Sequence, residues 1–165
     1  MAKFRTISLP RLCKWMVDDT IDDHDYSLVS LPDFDDVPEI TFTLGVHRNF
    51  GHPELLTAGV PKAIARKHLH GLMAAIKAST VHSQDVQYWE HLDLSRRFQA
   101  YPLPPTWHGL LLSPIEYRLG YVPGPVRVLQ FPDASGFFPD DWFYERPDGD
   151  RQIDLREVDP PVNRA

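Results

Sequence analysis

The sequence predicts a single α+β domain: a mostly antiparallel sheet of about five to six strands with an amphipathic helix packed on one face. Three observations lead to this prediction. Apolar, β-branched runs of strand length recur along the chain between turn-forming residues. One longer segment, from Pro61 to Ala78, carries its apolar residues at helical spacing instead. The length of 165 residues suits one domain, and the hydrophobic content of 42% can supply its core.

The chain opens with a predicted short helix from Ser8 to about Ile21. Ser8 is a suitable N-cap, and a proline in the first turn is well tolerated. The aspartate-rich run from Asp18 to Asp25 lacks the order of alternating carboxylates, central glycine and final glutamate of a calcium loop, and the acidic segment continues to Asp36. We therefore interpret it as an exposed acidic surface.

Three strands are predicted before the main helix, at residues 26–31, 39–46 and 54–60. The turn Pro32–Pro38 joins the first two. Parallel neighbours would require a crossover connection that is absent here, so the three strands should form an antiparallel meander.

The helix predicted over residues 61–78 carries one apolar stripe, which should face the sheet. The stripe is formed by residues at i, i+4, i+7, i+8 and i+11: Ala65, Leu69, Leu72, Met73 and Ile76. Basic side chains on the other faces are interpreted as solvated.

The second half of the chain contains shorter elements. Strands are predicted at 86–92, 98–103 and 126–131, with two helical pieces at 106–120 broken at Pro114. An aromatic cluster follows, formed by Phe137, Phe138, Trp142, Phe143 and Tyr144. It should pack back on the domain, since large exposed apolar patches are uncommon. We assign residues 1–146 to the domain and 147–165 to a charged, proline-bearing tail that is extended or disordered.

Composition limits the classes of function. The net charge of −6 disfavours a general nucleic-acid or anionic-membrane binder. Cys13 is the only cysteine, so neither an intrachain disulfide nor a thiolate zinc cluster can form. No apolar run suits a secretory signal or a membrane span, and we expect a cytoplasmic protein. Nucleotide-binding glycine motifs and a GxSxG elbow are also absent, so no cofactor is expected.

A polar joint between the second and third strands holds four candidate binding residues: His47, Arg48, His52 and Glu54. Two imidazoles and a carboxylate suit zinc or ferrous iron, which makes His47, His52 and Glu54 candidate metal ligands. The alternative is structural. Pro53 restrains the backbone of His52, and its imidazole would then point inward and bond to the backbone.

Two candidates lie later in the chain. Asp133 follows the last strand and reads as the first residue of a PDxxG turn, with an acid–base role as the alternative. Trp142 belongs to the aromatic cluster.

The order of FTLGV, FGHPELLTAGVP and VRVLQFPDASGFFPDDW resembles the family catalogued as domain of unknown function 4262. The matching positions are Thr43, Gly45, Gly51, His52, Pro53, Glu54, Leu55 and Gly59, and later Val128, Leu129, Gln130, Pro132, Asp133, Gly136, Phe138 and Pro139. This block adds Gln130 to the candidate binding residues. The resemblance covers about residues 25–142 and implies a fold rather than a chemistry.

A second similarity is to the suppressor-of-fused domain, which has a strand like TLGV, a strand with PEL, an amphipathic helix and a late strand with LQ. That resemblance implies an α+β protein-binding module, whose bacterial relatives are associated with toxin immunity.

Two functions remain open from the sequence. The first is a protein-interaction module, such as an immunity or inhibitor protein, whose charge of −6 suits a basic partner. The second is a small metal-assisted hydrolase that uses His47, His52 and Glu54. An exposed acidic or aromatic patch, with these three side chains apart, would favour the first.

Overall fold

The structure is a computed structural model that describes residues 20–21, 23–31, 38–78, 98–113, 116, 120, 124–147 and 149–160. Several predicted features lie outside these ranges. They are the helix from Ser8 up to residue 19, nearly all of the turn Pro32–Pro38, the strand at 86–92 and most of the helical piece after Pro114.

Five strands form one sheet, as the fold class predicted. They are β1 (Ser27–Leu31), β2 (Ile40–Leu44), β3 (Glu54–Ala58), β4 (Gln99–Pro102) and β5 (Val126–Gln130), in the spatial order β1-β2-β3-β5-β4. The predicted meander of the first three strands is confirmed, since β2 pairs antiparallel with both β1 and β3. The sheet is mostly antiparallel, with one parallel pair between β3 and β5. Residues 59–125 supply the crossover that a parallel pair requires.

The helices with both bounds described are α1 (Val46–Phe50), α2 (Lys62–Ala78) and α3 (His108–Leu111), with a 3₁₀ turn at Pro105–Trp107 just before α3. Residues 20, 21, 23 and 24 are also helical. The apolar stripe of α2 is buried as predicted, through Ala65, Leu69, Leu72, Met73 and Ile76. These side chains pack with Leu55 and Leu129 of the sheet. Burial of this stripe is therefore what fastens α2 to one face. No helix within the described ranges has the length and apolar character needed to cross a membrane.

The opposite face of the sheet carries a second apolar cluster, centred on side chains such as Phe42, Leu56 and Val128. The 3₁₀ turn and α3 cover it through Trp107 and Leu111, which are 1% and 2% exposed. Both faces of the sheet are thus covered, which explains why every residue of β2 and β3 is buried.

Residues 149–160, here called the C-terminal segment, pack onto the domain. Leu155 is 1% exposed within the second cluster, and the Trp107 indole N–H donates to its carbonyl oxygen at 2.9 Å. The Arg151 N–H donates to the Gly59 carbonyl at 2.7 Å. Gly59 has φ 81°, and a Cβ there would lie 2.0 Å from the Arg151 carbonyl oxygen. Only glycine permits this approach, so the described part of the predicted tail belongs to the packed body.

Candidate functional site

The polar joint contains α1 rather than the open loop expected from the sequence. Glu54 explains why this short helix forms. Its Oε1 accepts the N–H groups of Gly45 at 3.0 Å and His47 at 3.2 Å, and its Oε2 accepts that of Val46 at 3.3 Å. These are the N–H groups that the first turn of a helix leaves without a partner. At 1% exposure, Glu54 acts as a buried cap for α1.

His52 points inward, which the structural interpretation of the sequence predicted. The side chain is 2% exposed, and its Nδ1 lies 2.8 Å from the Pro53 carbonyl oxygen. Burial lowers the pKa of His52, the Pro53 carbonyl opposes this shift, and the positive charge of Arg127 adds to it. These surroundings favour the neutral form of the imidazole.

His47 and Arg48 lie on the exposed side of α1. The His47 imidazole packs against Gly124, where a Cβ would lie 2.2 Å from His47 Cγ. The three candidate metal ligands thus differ in direction: His47 is exposed, His52 is buried, and Glu54 is engaged by backbone donors. Within the ranges that the structure describes, no three His, Cys, Asp or Glu side chains are grouped to hold a metal ion.

Gln130 ends β5 and is 1% exposed. Neither polar atom of its amide has a hydrogen-bond partner in the described part of the chain. Gln99 is its cross-strand neighbour on β4. Because Gln130 is buried within the sheet, an incoming molecule has no direct access to its side-chain amide.

Asp133 closes a loop, as the PDxxG pattern predicted. The Gly136 N–H donates to its carbonyl oxygen at 3.1 Å, and its Oδ1 accepts the N–H groups of Ser135 at 2.8 Å and Phe137 at 3.0 Å. Its Oδ2 accepts the Glu145 N–H at 2.8 Å, which joins the two ends of the loop. These bonds, that of Glu145 foremost, hold the pKa of Asp133 below its ordinary value. Its carboxylate is used for loop structure.

Residues 133–145, here called the aromatic loop, present three large apolar side chains to solvent. Trp142 is 93% exposed, Phe143 69% and Phe137 37%. The rings of Phe137 and Phe143 lie together, with centroids 5.8 Å apart. The prediction that the cluster packs back on the domain is wrong for these three residues. The bonds to Asp133 fix the course of the loop, and of the two other aromatic residues, Phe138 and Tyr144, each is only half-buried.

Two acidic residues adjoin Trp142 in the aromatic loop. Asp140 and Asp141 immediately precede Trp142, and both are exposed. One carboxylate oxygen of Asp141 accepts the Phe138 N–H at 2.8 Å, which fixes the turn at the tip of the loop. The aromatic loop therefore combines apolar contact area with an acidic rim. Of the seven candidate residues from the sequence, Trp142 is the one that this surface presents to solvent most fully.

The chain matches the model of one protein family, described as Domain of unknown function (DUF4262), over residues 20–145. The match spans most of the chain and includes both the polar joint and the aromatic loop. Comparisons with curated proteins and with solved structures give no match. The similarity to the suppressor-of-fused domain stays a prediction.

Proposed function

The chain belongs to the DUF4262 family, a description that names no activity, and we propose from its own geometry that it is a small protein-interaction module. The aromatic loop is its docking surface. The observation that carries the proposal is the 93% exposure of Trp142 beside exposed Phe143. Tryptophan is one of the residue types enriched at the energetic centre of protein interfaces, because its large ring loses much water contact on binding.

The fixed ends of the loop support this proposal. Asp133 binds the backbone on both sides of Trp142 and Phe143, at Phe137 and at Glu145. A surface held in one conformation before binding loses little conformational entropy in the complex. Most of the binding free energy that Trp142 and Phe143 contribute is therefore not offset by the cost of ordering the loop.

The partner we propose is another protein with a basic surface, and not a nucleic acid. Asp140 and Asp141 rim the exposed rings, and the whole chain carries a net charge of −6. Opposite charge on the partner speeds association, while a second copy of this chain, a nucleic acid or an anionic membrane would be repelled. An immunity or inhibitor protein, which blocks a basic target, is the form of binder that we propose.

Two further parts of this proposal come from the sequence. We propose action in the cytoplasm, because a chain with a single cysteine suits a reducing compartment. The acidic segment from Asp18 to Asp36 contains eight aspartates, of which six lie outside the described residues, and we propose that this segment steers a basic partner. The hydrolase alternative gains no support, because the carboxylate of Glu54 is engaged by the backbone of α1.

Affinity capture from the native host tests the proposal. The immobilised wild-type chain is compared with Trp142→Ala, and with Ile64→Ala as a matched control, since Ile64 is an exposed apolar residue of α2 at 46% exposure. Mass spectrometry quantifies the proteins retained on each. We expect a basic protein that wild type and Ile64→Ala retain equally and Trp142→Ala loses. Equal retention on all three, or no protein enriched over a blank support, would contradict the proposal.

A further inference from the structure

We propose that Asp150 and Gln152 are positioning residues for the aromatic loop, and that they hold it in the conformation that presents Trp142 and Phe143. This inference rests on the proposed function, because it concerns how that docking surface is kept in place. Both residues lie beyond the family match, which ends at residue 145.

Tyr144 is the link between the loop and the C-terminal segment. Its hydroxyl group donates to Asp150 Oδ2 at 2.7 Å. The amide nitrogen of Gln152 lies 2.7 Å from the same carboxylate oxygen and 3.3 Å from the Tyr144 hydroxyl oxygen. Burial and the Asp150 carboxylate raise the pKa of Tyr144, so the hydroxyl keeps the proton that it donates. Tyr144 directly follows Phe143, and fixing it limits how far the exposed rings can move.

Gln152 transfers this restraint to the sheet. Its Oε1 accepts the Phe131 N–H at 2.8 Å, and its amide nitrogen donates to the Phe131 carbonyl at 3.1 Å. The side-chain amide thus bonds to Phe131 as a neighbouring strand would, directly after β5. Gln152 is 3% exposed, and the adjoining Arg151 N–H donates to the Gly59 carbonyl at 2.7 Å. Hydrogen bonds through Asp150 and Gln152 therefore connect Tyr144 to Phe131 at the end of the sheet.

The loop is consequently held at two points. Asp133 joins its two ends, while Asp150 holds the hydroxyl of Tyr144 from outside the loop. Each contact involves a charged acceptor, which makes a stronger hydrogen bond than a neutral one. Loss of the outer contact should free the segment with Trp142 and Phe143 even while the Asp133 turn persists.

The core-forming role of the C-terminal segment is separable from this positioning role. Leu155 fills the apolar cluster, and its N–H and carbonyl bond to Tyr101 and Trp107. None of these three residues contacts the loop through a described hydrogen bond. A substitution confined to the Tyr144 hydroxyl therefore tests positioning without opening the core.

Hydrogen exchange followed by mass spectrometry on the full chain is the test. Tyr144→Phe removes the hydroxyl group alone and keeps the ring. Tyr26→Phe is the matched control, because the Tyr26 hydroxyl bonds to His70 Nδ1 on α2, far from the loop in sequence. We expect amides 137–145 to exchange roughly tenfold faster in Tyr144→Phe, with α2 protection unchanged. Tyr26→Phe should leave the loop at its wild-type rate.

Unchanged loop exchange in Tyr144→Phe would overturn the inference, as would equal acceleration in the loop and α2, since that result reports global destabilisation. The measurement uses the protein without a partner. A loop that loosens as expected, combined with failed capture, would therefore overturn the proposed function alone.

Discussion

The hydroxyl group of Thr43 donates a hydrogen bond of 2.7 Å to the buried carboxylate of Glu54. The same hydroxyl oxygen accepts the Leu55 N–H at 2.9 Å. Thr43 thereby connects β2, β3 and the cap of α1 through one oxygen atom. This arrangement makes the polar joint a structural corner with a charged group at its centre.

Glu54→Gln should lower the free energy of unfolding by about 2–4 kcal/mol, because an amide offers one acceptor oxygen to donors that now share two. Urea denaturation measures the change. Glu39→Gln is the matched control, since Glu39 is only half-buried and accepts the Lys62 N–H at 3.2 Å. A similar loss in both variants would show that Glu54 has no special role.

The lowered pKa of His52 predicts a pH dependence of stability. Below its ordinary value of 6.5, the unfolded chain binds a proton that the folded chain excludes. Stability contributed by the neutral imidazole is therefore present above pH 6.5 and lost as the pH falls below it. Urea denaturation between pH 7.5 and pH 5, at about half-unit steps, should show wild type losing more stability than His52→Gln.

His70 also affects this experiment, whereas Asp133 does not. Burial and Arg66 lower the pKa of His70 as well, so its contribution has the same sign and requires a separate His70→Gln variant. The pKa of Asp133 is lowered from 3.8, so the stability it contributes is lost only at more acidic pH. If the unfolding free energies of wild type and His52→Gln fall in parallel from pH 7.5 to about 5, this result would contradict the account of His52.

Leu72→Ala should cost about 2–5 kcal/mol of unfolding free energy, the range for truncating a buried leucine. Leu72 is 8% exposed and packs in the cluster under α2. Ile64→Ala on the exposed side of the same helix should change stability by less than about 1 kcal/mol. Thermal and urea unfolding give both values, and a loss under about 0.5 kcal/mol for Leu72→Ala would show that this face is not core.

Gln130 and Gln152 are both buried, and they should respond oppositely to replacement by methionine, which has a similar volume. Gln152 bonds to Phe131, Asp150 and Tyr144, so Gln152→Met should lower the unfolding free energy by about 2–4 kcal/mol. The side-chain amide of Gln130 makes no hydrogen bond to a described residue, and Gln130→Met should raise the unfolding free energy by about 1 kcal/mol. Destabilisation of similar size in both would show that the Gln130 amide has a partner after all.

The sequence predicted what depends on local periodicity. The α2 stripe and the five described strands follow from side-chain patterns that repeat every 3.6 or 2 residues, and their bounds agree within one or two residues. The turn at Asp133 follows from its local PDxxG pattern. The parallel pairing of β3 with β5 depends on the path of some seventy intervening residues, which periodicity does not encode.

The roles of the polar joint and of the aromatic loop depend on contacts between residues distant in sequence. The sequence therefore predicted these two sites less well than the strands and helices. Thr43 and Glu54 are eleven residues apart. Three backbone N–H groups at the start of α1 donate to the Glu54 carboxylate. The local sequence around Glu54 does not show these bonds, and the sequence therefore made Glu54 a candidate metal ligand. The sequence predicts a packed aromatic cluster because large exposed apolar patches are uncommon, while the bonds to Asp133 that hold the loop outward are visible only in three dimensions.

The affinity of the captured partner for the Trp142→Ala variant tests the central claim most directly. Isothermal titration calorimetry with the purified partner gives the dissociation constants of wild type, Trp142→Ala and the Ile64→Ala control. We expect Trp142→Ala to weaken binding by roughly 30-fold, about 2 kcal/mol, which is the effect of removing an interface hot spot. Ile64→Ala should bind as wild type does. A Trp142→Ala dissociation constant equal to that of wild type would contradict the claim that the aromatic loop is the docking surface.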